Sequence, residues 1–262
     1  MVAPVLNDFE YQFGDSGVLL NPLTPGVALY DVTEVDGLDM APVRTDIQPR
    51  DGAHGAHGYA KYLSERVIEV FSTLYGPVGT LETYLDTLKN NFGPTPGNFP
   101  FYWKHAGIGQ RYCMGKSMGL RYKNTAERRL GVVVFQAIVL CEDPRAYVTN
   151  TVVTPTKAVA FNLTNSGNLE SYPVFTITGI HSGLNIAHPR GAIRTSASGA
   201  AGGDVIVFDC GLRTITKNGA DISATINVGD VWPIVASGVS SMTITTTSGT
   251  PALSVASYSA WY

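Results

Sequence analysis

Only one stretch of this chain, residues 80–93, carries apolar side chains at helical spacing. Leu81, Tyr84, Leu85, Leu88 and Phe92 fall on one stripe. Thr80 stands at the N-cap position, and Gly93-Pro94 ends the pattern. Glu82 in the first turn and Lys89 near the last both suit the helix dipole. A chain of 262 residues with a single amphipathic helix has to build its cores from sheets.

The rest of the sequence reads accordingly. Residues 11–20 place a Gly/Asp/Ser turn between two apolar runs, and 27–35 predict a strand ended by Asp36-Gly37. Residues 64–74 alternate, 99–104 and 110–116 read as strands, and 121–129 form a charged, turn-bearing segment. The β-branched run at 130–140 predicts a strong strand ending at Asp143-Pro144-Arg145. Residues 42–58 stand apart. They hold Arg44, Asp46, Arg50, Asp51, His54 and His57 among glycines, and read as a long loop or extended arm of the kind that meets partners.

Composition shifts near residue 150. Beyond it Thr, Ser, Gly, Ala and Val dominate, and short alternating runs recur at 159–163, 174–177, 185–187, 205–208, 221–226, 242–247 and 254–257. Lys217-Asn-Gly-Ala is a hairpin signal. The fold class expected is mainly β, with an α+β domain over residues 1–150 and a β-sandwich over residues 151–262.

Charged residues make up 15% of the chain, against about 25% in an average soluble domain, which fits a surface largely covered in an assembly. The formal net charge of -3 gives no basic footprint of a nucleic-acid binder. Lysines and arginines do cluster between Lys104 and Arg129, and read as a solvated strand face. Cys113, Cys141 and Cys210 have neither disulfide-framework nor zinc spacing, and the last two read as small core residues of a chain made in a reducing cytoplasm. No signal peptide and no membrane span is expected.

Candidate chemistry is sparse. His54-Gly-Ala-His57 invites a metal reading, but the glycines oppose a helix and no Glu lies between the histidines, so a polar loop meeting partner or solvent is expected. There is no GxSxG, the Gly-rich segments lack a phosphate-loop lysine, and Asp143 reads as a turn carboxylate. The aromatic run Phe99-Pro-Phe-Tyr-Trp103 reads as a half-buried strand in preference to a nucleobase platform. No catalytic residue, cofactor or metal is expected.

The order of features is itself informative. Asp36-Gly-Leu-Asp39 leads to Pro42-Val-Arg44 and Pro49-Arg-Asp-Gly-Ala-His54. A strand with Arg66, the Leu/Tyr helix, the strand at 130–140, Asp143-Pro144-Arg145 with Tyr147, and Asn165-Ser-Gly-Asn168 before Tyr172-Pro-Val-Phe follow. Over residues 37–230 this sequence resembles the distal tail proteins of siphophages.

The resemblance implies an N-terminal β-sandwich-like domain with one helix and a hairpin arm, closing as a homohexameric ring, and a galectin-like C-terminal β-sandwich outside it. It implies a non-enzymatic virion component at the tail tip that joins the tail tube protein to the tail-tip hub protein and baseplate. Tape-measure and receptor-binding proteins are further expected partners. Arg44, Arg50, Asp51, His54 and His57 are the candidate inter-subunit contacts, the arginines through bidentate pairs with a neighbour's carboxylates. The alternative is a carbohydrate-binding host-attachment module. Galectin-type sites use a His/Asn/Arg strand and a stacking Trp followed by Glu, whereas here His188-Pro-Arg190 is a faint echo and Trp232 precedes Pro233. The second domain is therefore expected to be a docking platform.

Overall fold

The computed structural model describes residues 3–22, 29–49, 56–93, 97–150, 152–199 and 201–262. The chain divides into two units, Met1–Ala146 with Tyr262, and Tyr147–Trp261.

The first unit contains β1 (Tyr11–Phe13), β2 (Leu19–Leu20), β3 (Leu29–Asp36), β4 (Val43–Pro49), β5 (Ala56–Leu63) and β6 (Arg66–Tyr75). Helix α1 (Leu81–Asn91), β7 (Phe99–His105), β8 (Gly109–Tyr122) and β9 (Val132–Cys141) follow. Strand order is β2-β1-β7-β8-β9-β6-β3. The long strand β8 serves two ladders. Its first half pairs with β7, ending at Phe99 opposite Gly115, and its second half pairs with β9, starting at Lys116 opposite Leu140. One strand thus turns a single path of pairings into two connected sheet halves.

Helix α1 buries Leu81, Leu85 and Leu88 on one stripe, as its spacing predicts. Phe92 at its end is fully buried and ties the two sheet halves together. Its ring stacks on Phe13 of β1 at 5.4 Å, while its carbonyl accepts a hydrogen bond from the Ser117 hydroxyl of β8 at 2.5 Å. Thr80 occupies the N-cap position, but its hydroxyl donates to the Pro77 carbonyl and caps no helical amide.

The segment at 42–58, read as a long loop or extended arm, is strand over Val43–Pro49 and from Ala56 onward. β4 and β5 form a two-stranded antiparallel sheet of their own, with a register shift between Thr45 and Ile47. Val43, Thr45 and Ile47 alternate with charged residues, a period-2 signal that the glycines and charges around it obscured. The hairpin arm implied by the family resemblance has its counterpart here.

The second unit is a two-sheet sandwich. After β10 (Ala146–Thr149) come β11 (Ala160–Asn165), β12 (Val174–Thr178), β13 (His181–His188), β14 (Gly191–Thr195) and β15 (Val205–Asp209). They are followed by β16 (Thr214–Lys217), β17 (Ala220–Asp221), β18 (Gly238–Gly249), β19 (Ala252–Ala256) and β20 (Tyr258–Trp261). One sheet runs β11-β18-β13-β14, the other β17-β16-β15-β12-β19, and β20 pairs with β10. Inward residues from both, among them Leu163, Ile186, Met242 and Ile244 facing Phe175, Ile206, Phe208 and Val255, make one core.

Asn218 and Gly219, at φ of 51° and 83°, form the expected tight turn between β16 and β17. The expected run at 221–226 is different: only Ala220–Asp221 is strand, and Ser223–Thr225 is a 3-10 turn. The Asp221 carboxylate accepts from both the amide and the hydroxyl of Ser223, so local side-chain bonding displaced the ladder there.

Candidate functional site

Among the described residues no group of three or more His, Cys, Asp or Glu is arranged to hold a metal. What the first unit offers is a surface. Along β6 and β9 the burial alternates, and one face of each strand is left open. Val67, Phe71 and Tyr75 of β6 lie on it with Val132, Val134, Ile138 and Leu140 of β9. Val67, Tyr75 and Val134 are 42%, 42% and 47% exposed, high values for apolar side chains in central strands. The polar pair in the middle satisfies itself, since Gln136 donates to the Glu69 carboxylate at 2.7 Å.

Charge flanks this apolar band asymmetrically. On the β3 side, exposed Asp31, Glu34 and Asp36 stand opposite Thr73, Phe71 and Glu69. On the β8 side, exposed Arg121 stands opposite Gln136, and Met118 at the adjoining β-bulge is 61% exposed. An apolar band between an acidic and a basic edge is suited to contact with another protein, because the core excludes water and the edges fix orientation.

Much of the basic cluster read between Lys104 and Arg129 is consumed internally. Lys104 reaches Asp8 and the Leu6 carbonyl, Lys116 meets Glu142 at 2.6 Å, and Arg128 pairs with Glu82. The Lys116 ammonium holds the Glu142 carboxyl below its usual range. Phe101, Tyr102 and Trp103 are at most 4% exposed and belong to the core, while Phe99 at the start of the run is 40% exposed; the Tyr102 hydroxyl donates to Asp15.

Of the candidate contacts, Arg44 lies on β4 opposite Tyr62 and His57 lies on β5 opposite Gln48. The register thus puts them on one hairpin. Arg50, Asp51 and His54 fall outside the described residues.

Sequence reasoning missed the role of Arg66. It is 1% exposed, and its guanidinium donates to the carbonyls of Pro144 at 2.8 Å, Leu38 at 3.0 Å and Gly37 at 3.3 Å. The segments containing Gly37-Leu38, Arg66 and Pro144 each belong to the motif series read from the sequence, and a single buried cation joins them. In the second unit Asn165 plays the same part. It is fully buried, donates to the Leu169 and Val235 carbonyls, and accepts from the Gly167 and Ala260 amides.

The sugar-site echoes do not form an open platform. His188 is 8% exposed with Nε2 at 2.9 Å from the Val231 carbonyl, and Trp232 packs against the sandwich core.

No family model matches this sequence, and no curated protein matches it. Solved structures do. The SPP1 Dit protein, described as a paradigm of the hub adsorption apparatus in phages infecting Gram-positive hosts, superposes with a TM-score of 0.69 over 98% of this chain and 100% of its own, at 13% identity. This chain has the Dit fold. A chain of the phage P2 baseplate in its activated conformation with Ca matches at TM-score 0.58 and 10% identity, over 95% of this chain and 97% of that one. The same baseplate with Sr gives 0.59 and 11%, over 95% and 98%. The resemblance read from motif order is therefore borne out in the fold. The Dit-like fold spans both units, and the β3-β6-β9-β8 surface belongs to the first of them.

Proposed function

We propose that this protein is a structural component of a long-tailed phage virion, a distal tail protein at the tail tip. The observation that carries the reading is the agreement of fold with SPP1 Dit over 98% of this chain and 100% of that one. In this reading the first unit, corresponding to the ring-forming domain expected over residues 1–150, closes a homohexameric ring. The ring connects the tail tube protein to the tail-tip hub protein and baseplate, with tape-measure and receptor-binding proteins as further neighbours. The galectin-like sandwich, expected over 151–262, serves as a docking platform, and the protein has no enzymatic role.

A closed ring needs contacts in which one surface patch meets a different one on the next copy. The band of Val67, Phe71, Tyr75 and Val134, with acid on one edge and Arg121 on the other, has the directionality such contacts require. The β4–β5 hairpin supplies a second contact, through Arg44 and His57 and through Arg50, Asp51 and His54 beyond the described strands.

The test is the mass of the purified chain by light scattering, with negative-stain images, alone and with tube and hub proteins. Closed rings, alone or on these partners, are expected. A monomer that binds neither partner overturns the reading. The carbohydrate-binding alternative finds less support, since Trp232 and His188 are engaged within the sandwich. Glycan binding by such a partner-blind monomer would favour it.

A further inference from the structure

Cys113 of β8 and Cys141 at the end of β9 are both fully buried, and their sulfurs lie 3.1 Å apart. The strand switch creates this approach. β8 leaves β7 at Gly115 and meets β9 at Lys116 opposite Leu140, so Cys141 follows beside Gly115. A Cβ on Gly115 would come within 2.9 Å of the Cys141 sulfur and 2.6 Å of Val139 Cγ1. The absent side chain leaves room for Cys141 to lean across β8 toward Cys113, two residues along on the same face. Both are free thiols, and their separation exceeds a disulfide bond of about 2.05 Å by only about one ångström.

We propose that Cys113 and Cys141 are a redox-responsive pair that closes to an intrachain disulfide when the protein meets a small peroxide, fastening the point where β8 passes from one ladder to the other. The inference is independent of the tail-tip reading. With hydrogen peroxide, the thiolate of one cysteine attacks an oxygen, the O–O bond breaks, and a sulfenic acid forms. The departing hydroxide takes up a proton and leaves as water. The second thiol then attacks the sulfenic sulfur, the S–S bond forms, the S–O bond breaks, and a second water leaves with the remaining proton. Two thiols lose two electrons and peroxide gains them. Burial pushes the Cys113 thiol well up, the neighbouring Cys141 adds to this, and the Arg66 charge opposes it. Closure is accordingly slow at neutral pH and faster in alkali.

The experiment uses the full chain, purified reduced, freed of reductant and exposed to hydrogen peroxide. The chain is then unfolded in a thiol alkylator and read by intact mass and peptide mapping. Three alkylated cysteines are expected before oxidation and one, Cys210, after it, with a linked peptide joining Cys113 to Cys141. The thermal midpoint of the oxidised chain is expected to rise by about 5 °C. Three thiols surviving, conversion to sulfinic acid without a link, or a link through Cys210 would overturn the proposal. An unchanged midpoint would overturn the fastening role. Because Cys113→Ser places a polar group in the core, the companion variant is Cys210→Ala, which leaves the pair untouched and adds no polar group to the second unit's core. It must still lose both remaining thiols on oxidation, and retention of both refutes the pair.

Discussion

Arg66 donates from Nε to the carbonyl of Pro144 at 2.8 Å, across 78 residues of chain, while its Nη1 reaches Gly37 and Leu38. The chain passes close to itself here, and the backbone carbonyls turned inward are held by one guanidinium in place of a ladder. Arg66→Ala is expected to cost about 3 kcal/mol or more, because buried acceptors lose a charged donor and are left unpaired. Arg66→Lys should recover little of it, since a point charge cannot span carbonyls arranged around a planar fork. Urea unfolding of both variants checks this. A loss below about 1 kcal/mol for the alanine variant would contradict the role given to Arg66.

The second unit depends on Asn165 in the same manner. Its carboxamide makes bonds of 2.6 to 3.1 Å with Leu169, Val235, Gly167 and Ala260, and it stitches the buried strand β20 to the sandwich. Asn165→Asp keeps the shape but replaces two donors by a buried negative charge facing carbonyls. It is expected to be at least as damaging as Asn165→Ala, by about 3 kcal/mol. Gly167→Ala should damage the same place, since its Cβ would lie 1.8 Å from the Ala260 carbonyl oxygen. Trp261 lies at the end of β20, so loss of tryptophan fluorescence anisotropy ahead of global unfolding is the signature to look for.

The exposed band gives a prediction that separates assembly from folding. Val134 is 47% exposed in a central strand, so Val134→Glu should leave the secondary structure and monomer stability within about 0.5 kcal/mol. In the ring reading it should abolish ring formation or partner capture, because it places an unpaired charge inside an apolar contact. Circular dichroism and light scattering on the same sample decide. Intact rings in this variant would remove the band from the interface.

How far the sequence discloses all this depends on the range of the interaction. Helix α1 was legible because Leu81, Leu85 and Leu88 are local to one another. The strands with clean alternation, such as 132–141, were legible for the same reason. Hairpin β4–β5 was obscured because its strand signal is short and surrounded by charges and glycines. The motif order around Gly37, Arg66, Pro144 and Asn165 was visible as a pattern, but its cause was not. That cause lies mainly in contacts between residues 28 to 95 apart in sequence, beside the short-range bonds of Asn165 to Gly167 and Leu169. The exposed band was likewise hidden, since Val67 and Val134 look like core residues until the register shows which face each occupies.

The buried tyrosines give the first unit a defined alkaline limit. Burial, with the Tyr84 hydroxyl adding to it, pushes Tyr30 up to about 12, and burial also raises Tyr11 and Tyr102, the latter with help from its bond to Asp15. An unfolded tyrosine titrates near pH 10, so the unfolded chain releases these protons first as pH rises. The folded state binds more protons over that range, and stability therefore falls with increasing pH. Full stability from this source is expected below pH of about 10, with progressive loss up to about 12. Cys113 and Cys210 are displaced in the same direction, so the whole-protein profile will include them. Tyr30→Phe isolates the tyrosine part. It keeps the ring set edge-on against Phe135 and removes the ionisable group. Its urea midpoint should decline less steeply than that of the unaltered chain between pH 10 and 12, and identical slopes would show that Tyr30 does not set the limit.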